Sequence, residues 1–390
     1  MTDIYLIRHA EAEGNLYRRI QGRYDSLVTE TGKKQIKCLE KRFEGVRVDA
    51  VYSSDYIRTR MTAAAVAEPR GLEITEHAGL REVAMGEWED RTWSEIEEEY
   101  PEQLYYYNAS PDKWDIPGGE RFADLQARIL GTLLEIAAQN ENKAVAVVSH
   151  GGAIRALLAY VYGIPAQRVS EIQYCDNTAV SLLRAEGGRL EAEYINDNSH
   201  LPDELSPFKR ETWWKQKSGM DGRNIRFLPL DPGKRSSDYL KAYREAWISA
   251  HGSDEGFSKV YLQTAVNRAR MDPHSVVEAY VGRKSCGFVE LAPEAKPLPY
   301  TGHIAFLALK PEYRRKGLGV QLIGYAVKYY RDKGCSALSL RVAQENERAR
   351  QFYEKYGFEQ IGLDSGATGK LIVMRKEIGL PHYAGKETKR

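Results

Sequence analysis

The chain is predicted to be α/β and to fold as two domains, on three observations. Strand-like and helix-like segments alternate along both halves. At 390 residues the chain is longer than one hydrophobic core usually serves. Charge is also divided: residues 1–200 hold 23 Lys and Arg against 33 Asp and Glu, whereas 201–390 hold 33 against 22. A net charge of +1 therefore hides an acidic half and a basic half, which points to two units with different ligands.

Taken in order, "DIYLI" reads as a strand, "ETGKKQIKCLEKRF" as a helix after Thr29, and "DAVYSS" as a second strand. "YIRTRMTAAAVAE" and "FADLQARILGTLLEIAAQ" are helices, and the unbroken apolar run of "KAVAVVSH" predicts a strand buried on both faces. "GGAIRALLAYVYG" follows as a helix, then "TAVSLLRAE" and "RLEAEYIN" as a hairpin around Gly187-Gly188. This first domain spans 1–198. Periodicity is lost from 199 to 223, a linker rich in Pro, Gly, Ser and Lys, with a short helical piece that Trp213 and Trp214 would pack onto a domain. The second domain, 224–380, opens with strand "NIRFLPL" and a helix from Ser236. Strands "VVEAYV", "CGFVEL" and "HIAFLAL" follow, then helix "GVQLIGYAVKYYRDKG", strand "ALSLRV" and helix "ENERARQFYEKY". Strands "GFEQIG" and "KLIVMRKEI" complete it, and the polar tail after Leu380 is expected to be loose.

Several classes are excluded. Cys38, Cys175, Cys286 and Cys335 form no CxxC pair, which argues against a zinc site or a disulfide framework. The longest apolar stretch, "AVAVVSHGGAIRALLAYVYGI", is broken by Ser149, His150 and Arg155 and cannot span a bilayer. The opening segment has no basic n-region and no long apolar h-region, so a soluble, cytoplasmic protein is expected. The basic half lacks an aromatic–basic stripe, so nucleic acid is not an expected partner.

Three strand ends of the first half carry polar residues: Arg8-His9, Ser53-Ser54 leading to Arg58, and Ser149-His150 before Gly151-Gly152. Residues just beyond parallel strand ends converge on one crevice. Two arginines and two histidines there suit a phosphoryl group, because guanidinium forks match phosphate oxygens and a neutral imidazole is a competent nucleophile. The stretches "IRHAEAEGN", "GRYDSLVTETGKKQ", "VYSSDYIRTRMTA", "LREVAMGEWED", "PGGERFADLQARI" and "VVSHGGAIRALL" resemble the histidine phosphatase superfamily, with its phosphoglycerate-mutase-like three-layer α/β fold, over about 195 residues.

That resemblance implies His9 as the phosphorylated nucleophile, with Arg8, Arg58 and His150 as the phosphate clamp. It implies Glu82 as general acid and then base, ahead of the nearby Glu11, Glu13, Glu87 and Glu89. Asn15, Gln21 and Gly22 would be substrate contacts. No metal is implied. Ala10 departs from the family's usual glycine after the Arg-His pair. "VAMGEWEDRTW" is similar to the phosphatase branch rather than the mutase branch. Tyr105, Tyr106, Tyr107 and Trp114 of the following segment would cover the pocket mouth.

In the second half, "HIAFLALKPEYRRKGLGVQLIGYAVKYY" places a strand, a basic glycine loop and a helix, an arrangement suited to a pyrophosphate. With "VAQENERARQFYEKYGF" downstream, it resembles the GNAT N-acetyltransferase family and its acyl-CoA fold over roughly 224–378. The resemblance implies acetyl-CoA held by Leu307, Leu309, Arg314, Arg315, Lys316, Gly317, Leu318, Gly319 and Asn346. Tyr353 would protonate the departing thiolate, and Glu290 and His303 are candidate bases. The chain is expected to hydrolyse a small-molecule phosphate ester and to acetylate a small-molecule or peptide amine. The alternatives are a phosphatase whose second domain only senses acetyl-CoA, and a mutase-type phosphotransferase.

Overall fold

In the computed structural model, which describes residues 1–210, 223–295, 298–366 and 369–380, the chain divides into two units, Met1–Asp221 and Gly222–Arg390. The first unit runs β1 (Thr2–Arg8), α1 (Glu13–Tyr17), α2 (Glu30–Arg42), β2 (Ala50–Ser53), α3 (Ile57–Ala67), β3 (Ile74–Glu76), α4 (Trp93–Glu99) and α5 (Pro101–Ala109). It continues through α6 (Phe122–Gln139), β4 (Ala144–Ser149), α7 (Gly151–Val161), β5 (Val180–Glu186), β6 (Arg189–Asp197) and α8 (Pro207–Arg210).

Its six strands are ordered β3-β2-β4-β1-β5-β6. β4 lies between β1 and β2, parallel to both, with Arg8 opposite Ser149 and Ser53 opposite Val148. The three strands therefore end level, which brings Arg8, Ser53 and Ser149 to one edge. Every residue of β4 is buried, as its apolar run predicts. Alternate residues serve opposite layers. Ile4, Leu6, Val145 and Val147 pack with Ile129, Leu133 and Leu157, whereas Ile7, Val51, Ala146 and Val148 pack with Leu39, Phe43 and Val66. Each of these Val, Leu, Ile and Phe side chains contributes roughly 1.5–3 kcal/mol on burial.

Local signals set the boundaries. Thr29 caps α2, its hydroxyl accepting from Gly32 N at 3.0 Å. The β5–β6 turn uses Gly187 at φ 56° and Gly188 at φ 76°, the left-handed pair that a two-residue hairpin requires. Residues 199–210, assigned to the linker from sequence, pack on the first unit: Leu201 is buried, Leu205 O accepts from Gln35 Nε2 at 2.8 Å, and Ser206 donates to Asp176. Residues 211–222, with Trp213 and Trp214, and the tail 381–390 lie outside the described residues.

The second unit contains β7 (Arg226–Pro229), α9 (Ser236–His251), α10 (Val260–Met271), β8 (Val276–Val281), β9 (Lys284–Leu291), β10 (Thr301–Leu309), α11 (Gly319–Asp332), β11 (Ala337–Ala343), α12 (Glu347–Lys355), β12 (Glu359–Gly366) and β13 (Gly369–Glu377). The sheet order is β12-β13-β11-β10-β9-β8-β7. β10 pairs with parallel β11 only from Thr301 to Ile304, although both strands run on, and its register with β9 shifts between Ile304 and Phe306. The bulge bends β10 away, so the sheet splays in its middle. Among the described residues no helix is long and apolar enough to cross a membrane.

Candidate active site

His9 follows β1 and His150 follows β4, and their ring centroids lie 5.2 Å apart. His9 is 4 % exposed, and Arg58 and His150 are fully buried. His9 Nδ1 lies 2.7 Å from Ala10 O. A carbonyl only accepts, so Nδ1 carries the proton and Nε2 carries the lone pair. Burial, then the charges of Arg58 and Arg8, push the His9 pKa well below its ordinary value, so the imidazole is neutral at pH 7. Burial and Arg58 act on His150 in the same direction. Asn177 Nδ2 holds His9 O at 2.9 Å, and Thr62 Oγ1 accepts from Ala10 N at 2.9 Å. Ala10 has no positive φ and its methyl is fully buried, so the alanine sits at this turn without backbone strain.

The cations are held by backbone oxygens. Arg8 Nη1 donates to Cys175 O at 2.6 Å. Arg58 donates to Tyr24 O and Gly22 O, both at 2.9 Å, and pairs with Asp25 at 3.3 Å. Arg8 Nε, Arg58 Nε and His150 Nδ1 are buried and have no protein partner, so three nitrogens of the expected clamp keep their bonding capacity. His150 Nε2 is 2.7 Å from Ser54 Oγ. If Ser54 donates there, the remaining proton sits on Nδ1, the tautomer a phosphate oxygen would select.

Glu82 accepts three backbone N–H bonds, from Val83, Gly152 and Ala153, each at 2.9 Å. Its carboxyl group thus sits on the first turn of α7, directly after His150. A Cβ at Gly152 would lie 2.7 Å from Glu82 Oε1, so a side chain there would push the carboxylate from this place. The competing carboxylates have structural partners: Glu11 accepts from Thr29, Glu13 from Leu27 N, Glu87 from Tyr100, and Glu89 from Met85 N and Arg23 N.

Asn15 is exposed, and its Oδ1 caps α1 by accepting from Ala12 N at 3.1 Å. Gly22 takes φ 50° and serves through its carbonyl on Arg58, while the Gln21 side chain packs over Gly14. Tyr107 and Trp114 line a pocket beside Gly152, whereas Tyr105 is 63 % exposed and turned away from the core. Ser54, noted at its strand end from sequence, is joined at the site by Asp25, Tyr56, Thr62 and Asn177, which carried no role in the sequence reading. Tyr56 lies 4.8 Å from the Arg58 guanidinium and edge-on to His150. Asp25, Ser54, Tyr56 and Thr62 stood inside the quoted stretches; Asn177, 168 residues from His9, carried no local signal.

In the second unit, Lys310 N bonds Cys286 O, so by the alternation of antiparallel pairing Phe306 and Ala308 face β9. The backbone groups of Leu307 and Leu309 consequently point into the splay. The following loop has Arg315 at φ 60° and Gly317 at φ 74°, both exposed with Lys316, and leads through buried Leu318 into α11 at Gly319. Successive turns of this kind direct N–H groups to one side, and α11 adds those of its first turn. The residues present fit the pyrophosphate of acetyl-CoA, with one exception. Arg314 is engaged elsewhere: its Nε donates to Leu309 O and its Nη2 to Glu245, both at 2.8 Å.

Asn346 is the N-cap of α12, Oδ1 accepting from Ala349 N at 3.1 Å. The Tyr353 hydroxyl is pushed up to about 12 by burial, between the rings of Phe352 and Phe358. Glu290 is fixed by Tyr239 and Arg268, and burial raises its pKa. His303 contacts Ser339 at 3.0 Å and is pushed down to about 4 by burial, which makes it a weak base. Among the described residues no group of three His, Cys, Asp or Glu side chains is placed to hold a metal ion.

Residues 4–198 match the histidine phosphatase superfamily (branch 1), and residues 238–358 match the acetyltransferase (GNAT) family. Phosphoserine phosphatase 1 of Hydrogenobacter thermophilus is 33% identical over 201 residues, covering 52% of this chain and 95% of that protein. Probable phosphoglycerate mutase GpmB of Citrobacter koseri is 35% identical over 210 residues, with the same coverage of each chain. The solved structure of Bacillus stearothermophilus YhfR aligns with a TM-score of 0.50 at 33% identity, covering 51% of this chain and 99% of that one. The chain belongs to the histidine phosphatase superfamily, and joins to that domain a region of the GNAT acetyltransferase family.

Proposed function

We propose that the chain is a bifunctional enzyme, a phosphomonoester hydrolase working through phosphohistidine and an N-acetyltransferase using acetyl-CoA. The observation that carries the first activity is the His9 tautomer, with Nε2 unprotonated beside three buried nitrogens that have no protein partner. His9 Nε2 attacks phosphorus, the ester P–O bond breaks, and Glu82 gives its proton to the leaving alkoxide. Arg8, Arg58 and His150 hold the oxygens on which transition-state charge spreads. Water then attacks the phosphohistidine, Glu82 takes a proton from it, the P–N bond breaks, and inorganic phosphate leaves. No step uses a metal ion. Asn15 Nδ2 and Gln21 are proposed as added substrate contacts.

Two relatives bear different names, a phosphoserine phosphatase and a phosphoglycerate mutase. Hydrolysis is the reading favoured here, on a small-molecule ester. The test is phosphate release from p-nitrophenyl phosphate in EDTA, which should persist in the wild type and fall at least 10³-fold in His9→Ala. Chelator-sensitive turnover would sink the mechanism, and interconversion of 2- and 3-phosphoglycerate without phosphate release would favour the mutase.

For the second activity, bound acetyl-CoA would supply the acetyl group, and residues of this chain would hold it and manage the proton. The first-turn N–H groups of α11, with Gly317, Leu318, Gly319, Arg315 and Lys316, would take the pyrophosphate. Leu307 and Leu309 offer backbone groups in the splay, and Asn346 keeps its Nδ2 for the cofactor. Tyr353 keeps its hydroxyl proton at neutral pH and would give it to the thiolate. Thiol release with an amine panel tests this activity. Acetyl-CoA binding without thiol release would make the second domain a sensor.

A further inference from the structure

The pocket beside Glu82 contains one buried cation with no carboxylate partner. Tyr107, Trp114, Phe122, Gly152, Arg155 and Tyr174 are among its lining residues, and most of the remainder are apolar. Arg155 lies three residues after Gly152 on α7, so the two share a helix face. The axial rise between them is ~4.5 Å, which places Arg155 one turn beyond the N–H groups that hold Glu82. Arg155 is 9 % exposed. Its Nε donates to Ile172 O at 2.9 Å, and its guanidinium carbon sits 4.1 Å from the centroid of the Tyr174 ring. Among the described residues nothing accepts from its two Nη groups. The other charged lining residue, Glu120, is already engaged by Arg128 at 2.8 and 2.7 Å. Trp114 Nε1, from the same wall, is a second buried donor with no protein acceptor.

A buried guanidinium without an anion is costly to desolvate. Stacking on Tyr174 fixes its plane, and the two Nη groups form the fork that matches a carboxylate or phosphate. We infer that Arg155 receives a second anionic group of the substrate, so that the hydrolysed ester is a short molecule with a carboxylate or second phosphate near its ester oxygen. This rests on the hydrolase reading above and narrows its substrate class. Arg155 makes no contact with the reacting atoms and acts on substrate choice.

The test is steady-state hydrolysis by the full chain. O-phosphoserine and 3-phosphoglycerate carry a carboxylate, propanediol bisphosphate carries a second phosphate, and phosphoethanolamine carries neither. A doubly anionic ester is expected to exceed phosphoethanolamine in kcat/KM. Arg155→Met should lower that ratio at least tenfold, mainly through KM, with Arg155→Lys intermediate. The better of the carboxylate and bisphosphate arms identifies the anion. Equal losses on all esters, or no preference in the wild type, overturn the inference. Should Arg155→Met not fold, Tyr174→Leu removes the stacking ring and must lower the same ratio, and an unchanged ratio counts as refutation. Failure of the hydrolase reading is separately visible as no turnover of any ester, p-nitrophenyl phosphate included, or as turnover that survives His9→Ala; either result removes both.

Discussion

His9 commits Nδ1–H to the carbonyl of its own neighbour and holds Nε2 free of a proton. Because burial and two arginines lower its pKa, acidification does not protonate it at the usual point. The acid limb of kcat/KM for p-nitrophenyl phosphate, corrected for substrate ionisation, is therefore expected below the ordinary imidazole value of about 6.5. A limb at that value would count against the buried, neutral nucleophile. Two other histidines give a stability signature. His200 and His303 are both pushed down to about 4. Below about 6.5 the unfolded chain binds protons that these folded-state groups refuse, so stability falls with pH by about 2 kcal/mol per group at pH 5. Thermal unfolding at pH 7 and pH 5 measures it, and an unchanged Tm at pH 5 would contradict the burial of both rings.

At the scale of elements, the two proposed sites would both use a helix N-terminus, α7 for Glu82 and α11 for the pyrophosphate. Gly152→Ala should displace the Glu82 carboxylate. Hydrolysis of an alkyl phosphate is expected to fall roughly 10²-fold, and that of p-nitrophenyl phosphate less, since its leaving group needs little protonation. Equal losses on both esters would speak against Glu82 as the acid. Gly317 takes φ 74°, a conformation that costs a residue carrying a Cβ. Gly317→Val should weaken acetyl-CoA binding about tenfold, the cost of one left-handed residue at roughly 1–2 kcal/mol, read by calorimetry. Long strongly patterned elements such as α6 and β4 were legible in the sequence to within a residue. α10 was not, because only Ala265 of its twelve residues is fully buried and its apolar stripe is correspondingly thin. The short α4 and α5 depend on the packing of Trp88, Tyr107 and Trp114, which no local period announces.

For the whole molecule, two units with separate sites should be separable in function. On the full chain, His9→Ala is expected to abolish phosphate release and keep thiol release, and Tyr353→Phe the reverse. Loss of both activities in either variant would show that the two are coupled. The sequence by itself determined the α/β class, the alternation of elements and the residues at the strand ends. Those are local matters of hydrophobic period, turn chemistry and side chains flanking apolar runs. Only the tertiary structure decided that Arg314 turns to Glu245 instead of joining the exposed loop cations, and that residues 199–210 pack on the first unit. It also decided that Asn177, distant in sequence, holds the His9 backbone, and that Arg155, legible only as a charge interrupting an apolar helix, faces a pocket. Each of these depends on which side chain lies opposite across the fold, and pairing at long sequence separation leaves no period in the chain to read.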